Sequence, residues 1–212
     1  MKEPVEIIDG TTGQFVDAEL FDEITVEHFL ETKKLWRPLV LRASEKLRAQ
    51  GRQNMLPDYT NWDWTKKEPY LHMLATKFFG ITCRKALQGI EVVQTENITG
   101  DCQCRLPVQR GKSLLYVDYL QVAPWNIKVL MEPIGEKVEF RGVGSRLMEA
   151  AIRFSIEEGF KGRIGLHSLP SSEPFYRNEC GMVPVMRDPR KQNLLWFEFT
   201  PDQAQAYLGG DI

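Results

Sequence analysis

Two hydrophobic periods divide this chain. Between Leu114 and Pro124 apolar and polar residues alternate, with Tyr116, Asp118, Leu120 and Val122 on one face and Val117, Tyr119 and Gln121 on the other. A period of two predicts a strand, and proline ends it. Beyond Arg141-Gly142-Val143-Gly144-Ser145-Arg146 the period lengthens. Leu147, Ala151, Phe154 and Ser155 share one helical face, and Gly159 stops the pattern. Gly162–His167 predicts the next strand. A loop with two glycines therefore opens a helix. Glycine lets backbone approach a ligand, and the first N–H groups of a helix lack internal partners. Such a site attracts phosphate, although glycines there also serve as plain turn punctuation.

Elsewhere the pattern is simpler. Glu6–Asp9 and Gln14–Ala18 flank the turn-rich Gly10-Thr11-Thr12-Gly13 and predict an N-terminal hairpin. Thr25 is a candidate N-cap for a helix with Val26, Phe29, Leu30 and Trp36 on its apolar face. Pro38 falls inside that pattern and demands a kink or a restart. Leu39, Val40, Ala43 and Leu47 continue the face to Gly51. Arg52–Asp63 reads as loop. Trp62-Asp63-Trp64 is either a plug in the core, the commoner use of such aromatics, or a wall of an acceptor pocket.

Lys77–Cys83 and Gly89–Gln94 read as strands. Thr95–Lys112 is polar, with Gly100, Pro107 and Gly111, and reads as a long mobile loop. Trp125–Phe140, with Pro133 and Gly135, reads either as a solvent loop or as a lid. Met182–Val185 and Leu194–Phe199 are the last strands. Thr200-Pro201-Asp202-Gln203 opens a short helix to Leu208, with Thr as N-cap, Pro at N1 and Gln at N3, before a Gly209-Gly210 tail.

Composition narrows the classes. The length fits one domain. A net charge of −2 disfavours nucleic acid as a partner, which needs compensating positive surface. No run approaches the ~18 apolar residues of a membrane helix. Met1-Lys2-Glu3-Pro4 opens no apolar leader. Cys83, Cys102, Cys104 and Cys180 form no C-x-x-C pair, as expected of reduced thiols in a cytoplasmic protein. Cys102-Gln103-Cys104 could clip a metal only with ligands from elsewhere, so no metal is expected.

The order strand, glycine loop, helix, strand, then Phe175-Tyr176 and Gly181-Met182, resembles the GNAT superfamily of acyl-CoA N-acyltransferases. Arg141-x-x-Gly144 is similar to the start of its pyrophosphate motif, Q/R-x-x-G-x-G/A. Phe175-Tyr176 with Gly181-Met182 is similar to its late FY…GF signature. The resemblance spans about Lys77 to Phe199. Trp62-Asp63-Trp64, Ala123-Pro124-Trp125-Asn126 and Gly165-Leu166-His167-Ser168-Leu169-Pro170 resemble a bacterial subgroup without a known substrate. The resemblance implies an α/β (α+β) GNAT fold, with a mixed central sheet of about six to seven strands flanked by helices and an added N-terminal hairpin. It implies one domain over 1–212: hairpin and helices in 1–76, a CoA-binding core in 77–199, and a C-terminal helix and tail in 200–212. Two departures stand out. Arg146 replaces the family's Gly or Ala, and Trp125–Phe140 intrudes between the strand and the phosphate motif.

The resemblance also implies chemistry: transfer of an acetyl group from acetyl-CoA, or another short acyl-CoA, to a primary amine of a small molecule or protein by direct attack. A monomer or homodimer would suffice. Pyrophosphate would rest on main-chain N–H groups of Gly142, Val143, Gly144, Ser145 and Arg146, with Arg141 and Arg146 adding positive charge. The backbone of Leu120, Gln121 and Val122 would bind pantetheine, and an N–H at Val122 would polarise the thioester carbonyl. Ser168 or Ser171 would bind pantetheine or cap the following helix. Tyr176 would hydrogen-bond the leaving sulfur. The base would be Asp118, ranked first, or His167, whose ordinary pKa suits neutral pH. The alternative is a non-catalytic acyl-CoA-binding module acting through a protein partner.

Overall fold

The computed structural model describes residues 2–97 and 100–210. Strands β1 (Lys2–Asp9) and β2 (Phe15–Phe21) form the expected hairpin, with Ile8 opposite Phe15 and Lys2 opposite Phe21. Its turn is closed by the Asp9 carboxylate, which accepts the N–H groups of Thr11 and Thr12 at 2.9 Å each. Helix α1 (Val26–Glu31) starts at Thr25, whose N–H is taken by His28 Nδ1 at 3.0 Å. Pro38 has no N–H to give to a carbonyl four residues back. The chain answers with a π-turn over Thr32–Trp36, in which the Arg37 N–H reaches back to the Thr32 carbonyl, and then resumes as α2 (Arg37–Ala49).

There follow β3 (Thr76–Cys83), β4 (Ala86–Gln94), β5 (Leu115–Val122), the single turn α3 (Lys128–Met131) and the two-residue β6 (Phe140–Arg141). Helix α4 (Val143–Glu157), strands β7 (Ile164–Ser168), β8 (Val183–Asp188) and β9 (Leu194–Phe199), and helix α5 (Pro201–Gly209) complete the order. The strands are hydrogen-bonded in the order β6-β1-β2-β3-β4-β5-β7-β9-β8. The sheet is mixed: β5 and β7 run parallel, while β1 with β2, β7 with β9 and β8 with β9 run antiparallel. With nine strands among the described residues it exceeds the expected six to seven. The hairpin joins the same sheet, and β6 adds a strand by pairing Ile8 with Arg141 and Asp9 with Phe140. Among the described residues no helix is long and apolar enough to cross a membrane.

The chain divides into two compact units, and β4 and β5 each run through both. The first holds residues 1–73, 78–90 and 120–147. Its aromatic centre is Phe29, with Phe78 at 5.7 Å and Trp64 at 6.1 Å between ring centroids. Trp64 is 3% exposed and donates its indole N–H to Gln121 Oε1 at 2.6 Å, so this tryptophan plugs the core. Trp62 is half-buried beside Tyr59. Residues 125–140 are neither a solvent loop nor a free lid. Leu130 and Met131 are buried against Val40 and Ala43 of α2, and Trp125 donates to Gln88 Oε1 at 2.7 Å. Enough apolar side chains point inward for this insertion to fold onto the helix.

The second unit holds residues 74–77, 91–119 and 148–212. Trp196 is fully buried and stacks on Tyr116 at 5.9 Å, with Cys102, Cys104 and Leu114 around them. A side chain at Gly165 would run into the Trp196 ring, which explains glycine in the middle of β7. The segment 95–112 departs from expectation. Residues 98 and 99 lie outside the described ones, but the rest is pinned rather than mobile. The Glu198 carboxylate accepts the Arg105 N–H, the Leu106 N–H at 3.0 Å and Gln109 Nε2 at 2.9 Å, while Gln103 bridges to Ser113. Polarity here serves a buried network, a use that composition alone does not distinguish from solvation. At the C-terminus, Gln203 N–H donates to Thr200 Oγ1 at 3.3 Å and Thr200 N–H to Gln203 Oε1 at 3.0 Å, the expected capping box.

Candidate active site

In the first unit, β6 delivers the chain to Gly142, whose φ of +83° is left-handed and whose missing Cβ faces open space. Glycine adopts that angle without steric cost. Helix α4 begins at the next residue, and the Arg146 N–H closes on the Gly142 carbonyl at 3.0 Å. The N–H groups of the preceding turn have no intrahelical acceptor and stand at the positive end of a 15-residue helix.

Two further contacts fix this turn. A Cβ on Gly89 would come within 2.7 Å of Val143 Cγ1 and 3.0 Å of Leu147 Cδ1, so a glycine in β4 lets α4 sit close to the sheet. Arg146 gives its Nε–H to the Glu6 carbonyl at 2.8 Å, which fastens the helix start to β1. That bond accounts for an arginine where the resembling motif has a small residue. Arg141 is exposed. Behind β6, Arg84 lies over the Phe140 ring at 4.9 Å and donates to Asp9 Oδ2 at 2.6 Å. The Thr12 N–H, then Arg84, hold the Asp9 carboxyl down at about 2.

Also in the first unit, Leu120 and Val122 are half-buried, and Gln121 is buried with its side chain committed to Trp64. Just beyond, the Ala123 N–H donates to the Gln88 carbonyl at 2.8 Å.

The second unit carries the other expected side chains. Asp118 is half-buried, and its Oδ2 accepts Gln94 Nε2 at 3.0 Å. Tyr176 lies in a π-turn, Phe175–Glu179, with its ring 5.1 Å from Phe175 and 6.0 Å from Phe197. Ser168 is buried, and its hydroxyl donates to the Leu169 carbonyl at 2.9 Å; Ser171 is exposed.

His167 belongs to a different constellation. Its side chain is 2% exposed. Nδ1 is 3.1 Å from the Tyr116 hydroxyl, and Nε2 is 3.3 Å from Asp188 Oδ2. One tautomer satisfies both contacts: Nε2–H donates to Asp188 and Nδ1 accepts from Tyr116. Burial, the largest influence, holds its pKa down at about 4. Arg105 bridges the same aspartate at 2.6 Å and Asp101 at 2.5 Å, and its guanidinium lies 4.1 Å from the centre of the Trp196 ring. Asp101, His167 and Asp188 are residue types that bind metals, and their ligand atoms lie within 4.8 Å of one another. The guanidinium already supplies the positive charge there. Cys102 and Cys104 are buried and belong to no such cluster among the described residues, and burial pushes both thiols up to about 12.

Several of these residues escape sequence reasoning. Gln94, the partner of Asp118, carries no motif. Asp101 and Arg105 sit in what reads as loop. Glu91 is fully buried, and neither carboxyl oxygen has a hydrogen-bond partner among the described residues; burial drives its carboxyl well above the usual carboxylate range. A glutamate inside the mostly apolar β4 is the one sequence signal for it.

No family model and no curated protein matches the sequence. Solved structures do match it. An uncharacterized Bacillus halodurans protein aligns with a TM-score of 0.55 at 12% identity, covering 99% of this chain and 98% of that one. The Bacillus subtilis N-acetyltransferase YlbP, solved with coenzyme A, gives 0.51 at 17% identity over 87% and 97% of the two chains. PaiA N-acetyltransferase from Thermoplasma acidophilum, also solved with coenzyme A, gives 0.51 at 10% over 86% and 98%. At such identities the likeness establishes the fold.

Proposed function

From this GNAT fold, shared with N-acetyltransferases solved with coenzyme A, we propose that the chain is an acetyl-CoA-dependent N-acetyltransferase acting on a primary amine. The observation that carries the reading is the turn at Gly142. A left-handed glycine with open space over it, at the positive end of α4, fits a pyrophosphate. Main-chain N–H groups between Gly142 and Arg146 would hold it, with Arg141 adding positive charge.

Acetyl-CoA would supply the activated thioester. The backbone of Leu120 and Val122 would orient it. Asp118, fixed by Gln94, would take the proton of the amine as nitrogen bonds to the acetyl carbon. Tyr176 would donate a hydrogen bond to the sulfur as the carbon–sulfur bond breaks. His167 is left out of the acid–base chemistry, because both ring nitrogens are engaged inside the protein.

The test is thiol release from acetyl-CoA, followed colorimetrically across a panel of primary amines, amino acids and lysine-containing peptides. Acceptor-dependent release supports the transferase. Tight binding of coenzyme A with no release on any acceptor would favour the acyl-CoA-binding module instead.

A further inference from the structure

The first unit contains a small, partly open cavity of about 20 Å³, lined among others by Lys33, Trp36, Arg37, Trp62, Asp63 and Gln121. The volume seats one water-sized group. Its chemistry is uneven. Trp36 is 3% exposed, and its indole N–H is buried with no acceptor among the described residues. An indole N–H can only donate, and leaving it unpaired in the protein interior is unfavourable. Gln121 has given its oxygen to Trp64, so its amide N–H groups remain to donate. Lys33 and Arg37 are exposed and bring two positive charges against the single negative charge of Asp63. Asp63 is in turn committed to Thr65, at 2.6 Å from its hydroxyl and 3.1 Å from its N–H. The cavity is thus rich in donors and net positive.

Its place in the chain gives it a use. Gln121 is in β5 between Leu120 and Val122, whose backbone is assigned above to the thioester, and its side chain leaves that backbone on the other face of the strand. We infer that this cavity seats a carboxylate oxygen of the acceptor, so that the amine acetylated belongs to an amino-acid-like molecule. The inference rests on the transferase reading for its purpose, not for its geometry. Trp36 and Gln121 would donate to the oxygen, and Arg37 and Lys33 would neutralise it. The amine would then extend toward β5.

The test uses the full chain saturated with coenzyme A. The Trp36 indole N–H resonance is assigned by its loss in Trp36→Phe. The common α-amino acids and the amines formed by removing their carboxylate are then titrated in matched pairs. At least one amino acid should shift that resonance saturably while its amine does not. Arg37→Ala should weaken the binding about tenfold, as expected for loss of one charged hydrogen bond. No shift with any amino acid, or equal shifts from the paired amines, would overturn the inference and leave a buried water as the occupant. A saturable shift without acetyl transfer to that amino acid would uphold the subsite and count against the transferase. Transfer to amines with an unmoved resonance would do the reverse.

Discussion

Gln94 Nε2 donates to Asp118 Oδ2 across 3.0 Å, from a glutamine that is 8% exposed. A buried neutral amide of this kind fixes a carboxylate in one orientation without cancelling its charge. Asp118→Asn should therefore lower turnover by about 10²–10⁴-fold, the usual worth of a positioned base, while coenzyme A still binds. Gln94→Leu should lower turnover less, and Gln94→Asn should recover part of it. Steady-state rates with separate coenzyme A titrations check this; an unchanged rate in Asp118→Asn removes that residue from the chemistry.

The Tyr176 ring packs against Phe175 and Phe197, so removing only its hydroxyl preserves the packing. Tyr176→Phe should keep the melting temperature within a few degrees and slow turnover by about 10²-fold. Single-turnover acetyl transfer measures it, and a wild-type rate would show that the sulfur leaves without this hydroxyl.

The His167 network predicts a pH effect on stability. Its folded pKa of about 4 lies below the ordinary value near ~6.5, so acid protonates the unfolded chain first. The stabilisation is complete above ~6.5 and is lost as pH falls through about 4. Asp188, held well below the usual carboxylate range by Arg190 and Arg105, acts in the same direction. Urea midpoints should fall across that window, and less steeply in His167→Gln. An identical slope in the variant would assign the effect elsewhere.

Arg105 bonds two nearly inaccessible carboxylates, Asp101 and Asp188. Arg105→Met should cost about 3–5 kcal/mol, because it removes a close partner from two buried carboxylates at once. Chemical denaturation checks the magnitude, and a loss below 1 kcal/mol would mean that Arg190 and Lys191 compensate.

Much of this was legible in the sequence. Period-two alternation located β5, and the restart demanded by Pro38 appears as a π-turn. Thr200 and Gln203 form the box their spacing predicts. The glycine turn before α4 was legible because Gly142, at a φ of +83°, takes a left-handed angle that favours glycine. What stayed hidden depends on contacts distant in sequence. Trp64 meets Gln121 across 57 residues, and Arg105 meets Asp188 across 83. No local period records such pairs, so residues 95–112 read as loop, and the network that encloses His167 was not legible. Residues 125–140 misled for a related reason: the apolar face of Leu130 and Met131 is too short to show a period.

The central claim is that Gly142–Arg146 cradle a pyrophosphate, and coenzyme A binding by calorimetry tests it most directly. Gly144→Glu puts bulk and negative charge among the α4 N–H groups while leaving the left-handed Gly142 in place. The account predicts saturable binding of coenzyme A to the wild type, a matching rise in melting temperature by mass action, and loss of both in a folded Gly144→Glu variant. Undiminished coenzyme A affinity in that variant would contradict it.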